Sequence, residues 1–145
     1  MDTVCENIPK DATRTSPRKQ TSSLSIKYTK PNLGVHSFHI EINDLIVSVH
    51  VISMDNSVFM WIGKGLEASF TDLSLAMMSP FQNSPLASKV VGSPLETASV
   101  NLSSKLSRKL NKQVFLSCNV VLDQLTAPVV EKRIFDEIKS QPEKF

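Results

Sequence analysis

Glycine is scarce, with four residues in a chain of 145. A dinucleotide fingerprint needs several glycines in one tight turn, and none can be assembled here. Gly63-Lys64-Gly65 is the densest cluster, yet the phosphate-loop pattern GxxxxGK[ST] is absent and no helix opens directly after it. It reads as the turn that closes a strand. Cysteine is scarcer still. Cys5 and Cys118 form no CxxC pair, so no disulfide framework is indicated and a reducing compartment suits the chain. HxH and HExxH motifs are missing. His36 and His39, three apart, point to opposite faces of any strand and cannot share a metal, and His50 has no ligand neighbour at useful spacing. No metal and no cofactor is expected.

Long apolar runs are also missing. None approaches the roughly 20 residues that span a bilayer. The first residues, MDTVCENIPKD, carry acids early and no apolar stretch, unlike a secretory signal. No membrane association is expected. Net charge is low, +2 at pH 7, and unevenly placed. Residues 1–30 hold six basic groups against three acids, and residues 31–145 hold ten against eleven. The folded part is therefore near neutral, which argues against a broad basic face for nucleic acid.

What is present points to one domain preceded by a tail. Residues 1–34 are rich in Ser, Thr, Lys, Arg and Pro, a composition that cannot bury enough apolar surface to offset its ordering entropy. Ser16-Pro17-Arg18-Lys19 has the form of a proline-directed phosphosite or a short nuclear-import patch, patterns loose enough to arise by chance in a solvated tail. Residues 35–145 are long enough for one real core.

Within that domain the periodicity changes. His36–Ile42 alternates, with Phe38, Ile40 and Ile42 on one side, and Asn43-Asp44 is a turn signal. Leu45–Ile52 places Leu45, Val47, Val49 and Val51 on one face. Val58–Ile62 is a third strand, and Phe70–Met78 is expected to continue an antiparallel meander. A short edge strand is expected around Leu86–Val91, between the prolines and the next element. Ser93-Pro94-Leu95-Glu96 has the form of a capping box, opening a helix with Ala98, Leu102, Leu106 and Leu110 in one stripe and Lys105, Arg108 and Lys109 towards its end. NKQVFLSCNVV is a strand with Val114, Leu116, Cys118 and Val120 on one face. A second helix is expected over Ala127–Ser140, with Val130, Ile134 and Ile138 buried and Arg133 paired to Glu137 across a turn. This order predicts an α+β fold: a mostly antiparallel sheet of about six strands with two main helices on one face.

Such a sheet should alternate apolar and polar residues, and it does not. Phe59 and Trp61 are large and apolar opposite Val58, Met60 and Ile62. A second apolar face requires cover. Two arrangements fit: sheet-to-sheet dimerisation through a face centred on Phe59 and Trp61, or a fold-back of the tail or of residues 80–92.

Catalytic candidates are weak. Glu41 with Asp44, and Asp136 with Glu137, sit where solvated carboxylates are ordinary. Cys118 lies between Leu116 and Val120, surroundings that raise a thiol pKa and favour a packing role over a nucleophilic one. No catalytic residue is assigned.

Three segments together carry a family resemblance. Asp55–Gly63 (DNSVFMWIG), Leu106–Asn119 (LSRKLNKQVFLSCN) and Val129–Phe145 (VVEKRIFDEIKSQPEKF) resemble the proteasome assembly chaperone 4 family, in the same order over residues 36–145. The basic tail lies outside the likeness. The resemblance implies a non-catalytic chaperone that pairs with proteasome assembly chaperone 3. The pair would bind 20S proteasome α subunits, α5 foremost, promote α-ring assembly, and work in the cytoplasm and the nucleus. It implies two sheets facing one another. The ending Glu143-Lys144-Phe145 lacks the hydrophobic-tyrosine-X signature of other assembly factors, so docking into α-ring pockets by that mode is not expected. A small dimeric trafficking adaptor of α+β type is the competing expectation from pattern alone.

Overall fold

A computed structural model of the chain describes residues 26–65 and 68–145. The sequence features at Cys5 and Ser16-Pro17 lie outside these residues. Residues 26–30 are exposed and without regular structure. A compact unit runs from Pro31 to Phe145.

Six strands form one sheet: β1 (Gly34–Ile42), β2 (Leu45–Ser53), β3 (Ser57–Lys64), β4 (Leu73–Met78), β5 (Pro85–Val91) and β6 (Gln113–Asn119). Helices α1 (Ala98–Leu110) and α2 (Thr126–Ser140) follow β5 and β6. The strand order is β1-β2-β3-β6-β4-β5. All neighbours are antiparallel except β3 and β6, which run parallel in the register Phe59↔Phe115. The expected α+β class and the second helix stand; the first helix begins at Ala98, four residues after its expected first residue, Pro94. The meander is shorter than expected, because β6 inserts between β3 and β4. Alternation specifies which face a residue occupies but not which strand lies beside it.

Local chemistry accounts for the elements. Asn43 adopts a left-handed φ of 53° in the two-residue β1–β2 turn, a conformation asparagine tolerates. Asn111, also at φ 53°, ends α1 in the same way. The capping box does not open α1. The Ser93 hydroxyl accepts from the Leu95 N–H at 3.3 Å and its carbonyl from the Glu96 N–H at 3.1 Å, so these residues form a turn instead. They complete the reversal that begins at Gly92, whose φ of 104° excludes most side chains.

The core lies between the sheet's inner face and the two helices. Ile40, Val47, Val49, Val51, Val58, Met60, Ile62, Val114 and Leu116 meet Leu102 and Leu106 of α1 and Val130, Ile134 and Ile138 of α2. Both leucine and isoleucine stripes were legible from spacing. A serine stripe, Ser99, Ser103 and Ser107, is buried beside the leucines and lets α1 sit close to Ser74 and Ala76 of β4. Ala98 is exposed, contrary to its place in the expected stripe. Glu137 is half-buried and sits 2.9 Å from His36 Nε2 and 2.9 Å from Gln141 Nε2; it does not pair with Arg133. It borders the buried stripe next to Ile134 and Ile138, facing β1 and not solvent.

Phe145 is buried, edge-on to His36, and its main-chain oxygen accepts from Lys112 Nζ at 2.8 Å.

Candidate interaction face

The outer face of the sheet, opposite the helices, is built by the alternate residues of every strand. From β1 and β2 come Ser37, His39, Glu41, Ile46, Ser48, His50 and Ile52. The middle is Phe59, Trp61 and Gly63 of β3 with Phe115, Ser117 and Asn119 of β6. The far side is Leu73, Leu75 and Met77 of β4 with Leu86 and Ser88 of β5. Among these strand residues Glu41 alone carries a formal charge. Interface cores are depleted of charge in this way, whereas solvated sheet faces are not.

The face has three zones. On β1 and β2 the polar groups satisfy one another: the Ser37 hydroxyl lies 2.7 Å from His50 Nδ1, and His39 Nδ1 lies 3.1 Å from the Ser48 hydroxyl. In the centre the chain from Ala68 to Thr71 lies against the sheet. Trp61 Nε1 donates to the Ser69 carbonyl at 2.8 Å, and Phe70 stacks on Phe59 with centroids 6.4 Å apart. The Thr71 N–H and hydroxyl both donate to Asn119 Oδ1, at 2.8 and 3.3 Å. On β4 and β5 the face is bare and apolar, with Met77 39% and Leu86 55% exposed.

Phe59 and Trp61, singled out from sequence, are therefore brought together on this face, and both are half-buried. Part of their cover is internal, and it comes from residues 68–71. Residues 80–92 supply no such cover, because they contain β5. Gly63 is also not the closing turn: it is in β3, and the indole of Trp61 lies directly across it. A Cβ at position 63 would come within 2.0 Å of the Trp61 ring. The ring's other neighbour is His50, at 5.4 Å between centroids.

A second constellation was not foreseen. Asp72, Lys89 and Ser99 meet at the start of β4, in β5 and in the first turn of α1. The Lys89 ammonium pairs with the Asp72 carboxylate and donates to the Ser99 hydroxyl at 2.7 Å; that hydroxyl donates to Asp72 at 3.1 Å. The second Asp72 oxygen accepts the Cys118 N–H at 3.2 Å. Nothing in the sequence marks this cluster, because its three members are 10 to 27 residues apart. Lys89 points inward from an edge strand, a device that also discourages stray strand pairing.

These groups and Cys118 line a cleft of about 460 Å³. Burial pushes the Cys118 thiol pKa up, only partly offset by hydrogen bonding with the Val120 backbone. A thiol so placed is a poor nucleophile. His36 and His39 do diverge, to α2 and to the outer face. No cluster able to hold a metal ion occurs among the described residues. No described helix is long and apolar enough to cross a membrane.

Comparison with known proteins identifies the family and the fold. The family model for Proteasome assembly chaperone 4 matches residues 47–120, from β2 through β6. The human protein named Proteasome assembly chaperone 4 is 34% identical over 115 residues, spanning 79% of this chain and 92% of that protein. Its mouse counterpart is 32% identical over the same share. A chain from the crystal structure of a chaperone complex for yeast 20S proteasome assembly has the same fold, with a TM-score of 0.59 at 12% identity, covering 77% of this chain and 98% of that one. On these grounds the chain belongs to the proteasome assembly chaperone 4 family.

Proposed function

We propose that this chain is a non-catalytic chaperone of 20S proteasome assembly, and that residues 35–145 form its chaperone domain. It pairs through its outer sheet face with proteasome assembly chaperone 3, and the pair holds α subunits, α5 foremost, while the α-ring forms. The observation that carries the pairing is the outer face itself. It is a sheet face with a single charged strand residue, an aromatic centre at Phe59 and Trp61, and an exposed apolar flank at Met77 and Leu86 beside the half-buried Leu75. A second sheet laid on it, about 10 Å away, would bury that flank and leave the helices free. Family membership supports the role in proteasome assembly; the named partner and client come from the family resemblance. Cysteine usage and the basic N-terminal segment support residence in the cytoplasm and the nucleus.

Leu86→Asp and Met77→Asp test the pairing better than Trp61→Asp, because Trp61 also anchors residues 68–71. Co-expression with proteasome assembly chaperone 3 followed by size exclusion is expected to show a heterodimer for the wild type and separate chains for Leu86→Asp. A heterodimer that survives both substitutions would remove the outer face from the interface.

A further inference from the structure

The helical side has a chemistry opposite to that of the sheet face. α1 carries Lys105, Arg108 and Lys109 and no acid. Its buried leucines set its rotation and turn Asn101 and Lys105 towards α2; the buried stripe of α2 turns Glu131, Lys132, Phe135 and Lys139 towards α1. Between the helices runs a groove with two lobes. One, of about 330 Å³, is lined by Ala98, Leu102, Leu122 and Pro128. The other, of about 480 Å³, is lined by Lys132, Phe135, Asp136 and Lys139. Lys105 and Glu131 border both lobes, joined at 2.7 and 2.8 Å. Lys139 approaches Asp136 at 3.8 Å, while Arg108, Lys109 and Lys132 have no ion-pair partner among the described residues. The floor is apolar; Arg108 and Lys109, seven residues after Asn101 and four after Lys105, continue the same side of α1 beyond the lobes, so with Lys132 the margin of the groove carries surplus positive charge.

We propose that this groove docks the chaperone's client through an acidic, amphipathic segment. Its apolar side would lie over Leu122 and Phe135, and its carboxylates would meet Arg108, Lys109 and Lys132. This inference rests on the client reading above and adds the surface and its partner's chemistry. A polypeptide fits better than a polyphosphate, because Glu131 and Asp136 in the walls repel an unbroken line of phosphates. The division of labour follows from the two surfaces. An uncharged face suits a lasting partner, and a charged groove suits one that binds quickly and is later released.

The test uses the purified heterodimer and an isolated α5 subunit, with binding followed from low to high salt. Arg108→Glu combined with Lys109→Glu alters two exposed side chains of α1 that take no part in the core or the sheet face, so the heterodimer is expected to persist. Affinity for α5 is expected to fall about tenfold or more at low salt, with a flatter salt dependence. Unchanged affinity in an intact heterodimer overturns the groove assignment while leaving the client reading in place. A wild-type heterodimer that binds no α subunit removes the client reading, and the assignment falls with it. Retention of a polynucleotide by the wild type, lost in the double variant, would replace the acidic polypeptide with a polyanion and so overturn the proposal.

Discussion

Replacing Lys89 by Met is expected to be among the most damaging single changes in the domain, although Met has similar length and greater apolarity. The side chains of Lys89 and Asp72 retain only 12% and 5% of their exposure, so solvent screens their interaction little. Removing the ammonium leaves a buried carboxylate supported by the Ser99 hydroxyl and the Cys118 N–H alone. Breaking one side of a buried pair costs about 3–5 kcal/mol, against a total stability of about 5–15 kcal/mol for a domain. Asp72→Asn added to Lys89→Met removes the stranded charge and keeps an acceptor for the Cys118 N–H. The double variant is therefore expected to be more stable than Lys89→Met alone. The measurement is urea unfolding of the purified heterodimer at fixed concentration, read as midpoint shifts at constant slope and combined in a double-mutant cycle. A cost for Lys89→Met below about 1 kcal/mol, or strict additivity of the two changes, would refute the reasoning, since a buried pair must couple. The consequence for function is direct. Lys89 fastens edge strand β5, which carries Leu86 on the opposite face.

Three further outcomes follow from particular contacts. Gly63→Ala forces the Trp61 indole off its seat and is expected to cost about 1–3 kcal/mol; a red-shifted tryptophan emission with a lowered Tm checks it, and unchanged emission counts against the packing described. Asp123 caps α2, its Oδ1 accepting the Leu125 and Thr126 N–H groups at 2.9 and 2.6 Å and the Thr126 hydroxyl at 2.8 Å, bonds that hold its carboxyl below the usual range. Because the folded-state pKa is depressed, that stability is present above the ordinary carboxylate range and lost as pH falls through the folded value. Asp123→Ala should therefore lower Tm at neutral pH and narrow its gap to wild type in strong acid, while Asp123→Asn keeps most of the cap. Cys118, with its raised pKa, should label slowly with a thiol reagent near neutral pH and rapidly in denaturant; rapid native labelling would contradict its burial.

Much of the fold was legible because burial imposes periodicity. Val47, Val49 and Val51 alternate, and Val130, Ile134 and Ile138 recur every four residues, since each set must face one core. The outer face was legible for the same reason: Phe59 and Trp61 broke an alternation that solvent would have preserved. What escaped was non-local. No pattern in β3 or β6 announces that they lie parallel and adjacent. The capping box at Ser93 was outcompeted by a chain reversal whose tightness depends on Gly92 packing near the Thr71 carbonyl, 3.0 Å from where a Cβ would stand. Glu137 was assigned to Arg133 by helix spacing, but the approach of β1 supplied His36 as a nearer partner.

The sequence by itself determined most of the elements, the side of each that is buried, the packing of Cys118 against apolar neighbours and the family, because these rest on local spacing and on residues matched in order. Only the tertiary structure decided that residues 68–71 lie against the aromatic centre, that Asp72, Lys89 and Ser99 meet, and that the strand residues of the outer face carry one charge while a groove runs between the two helices. Those features join residues far apart in the chain, and the geometry that joins them exists only once the sheet has ordered its strands.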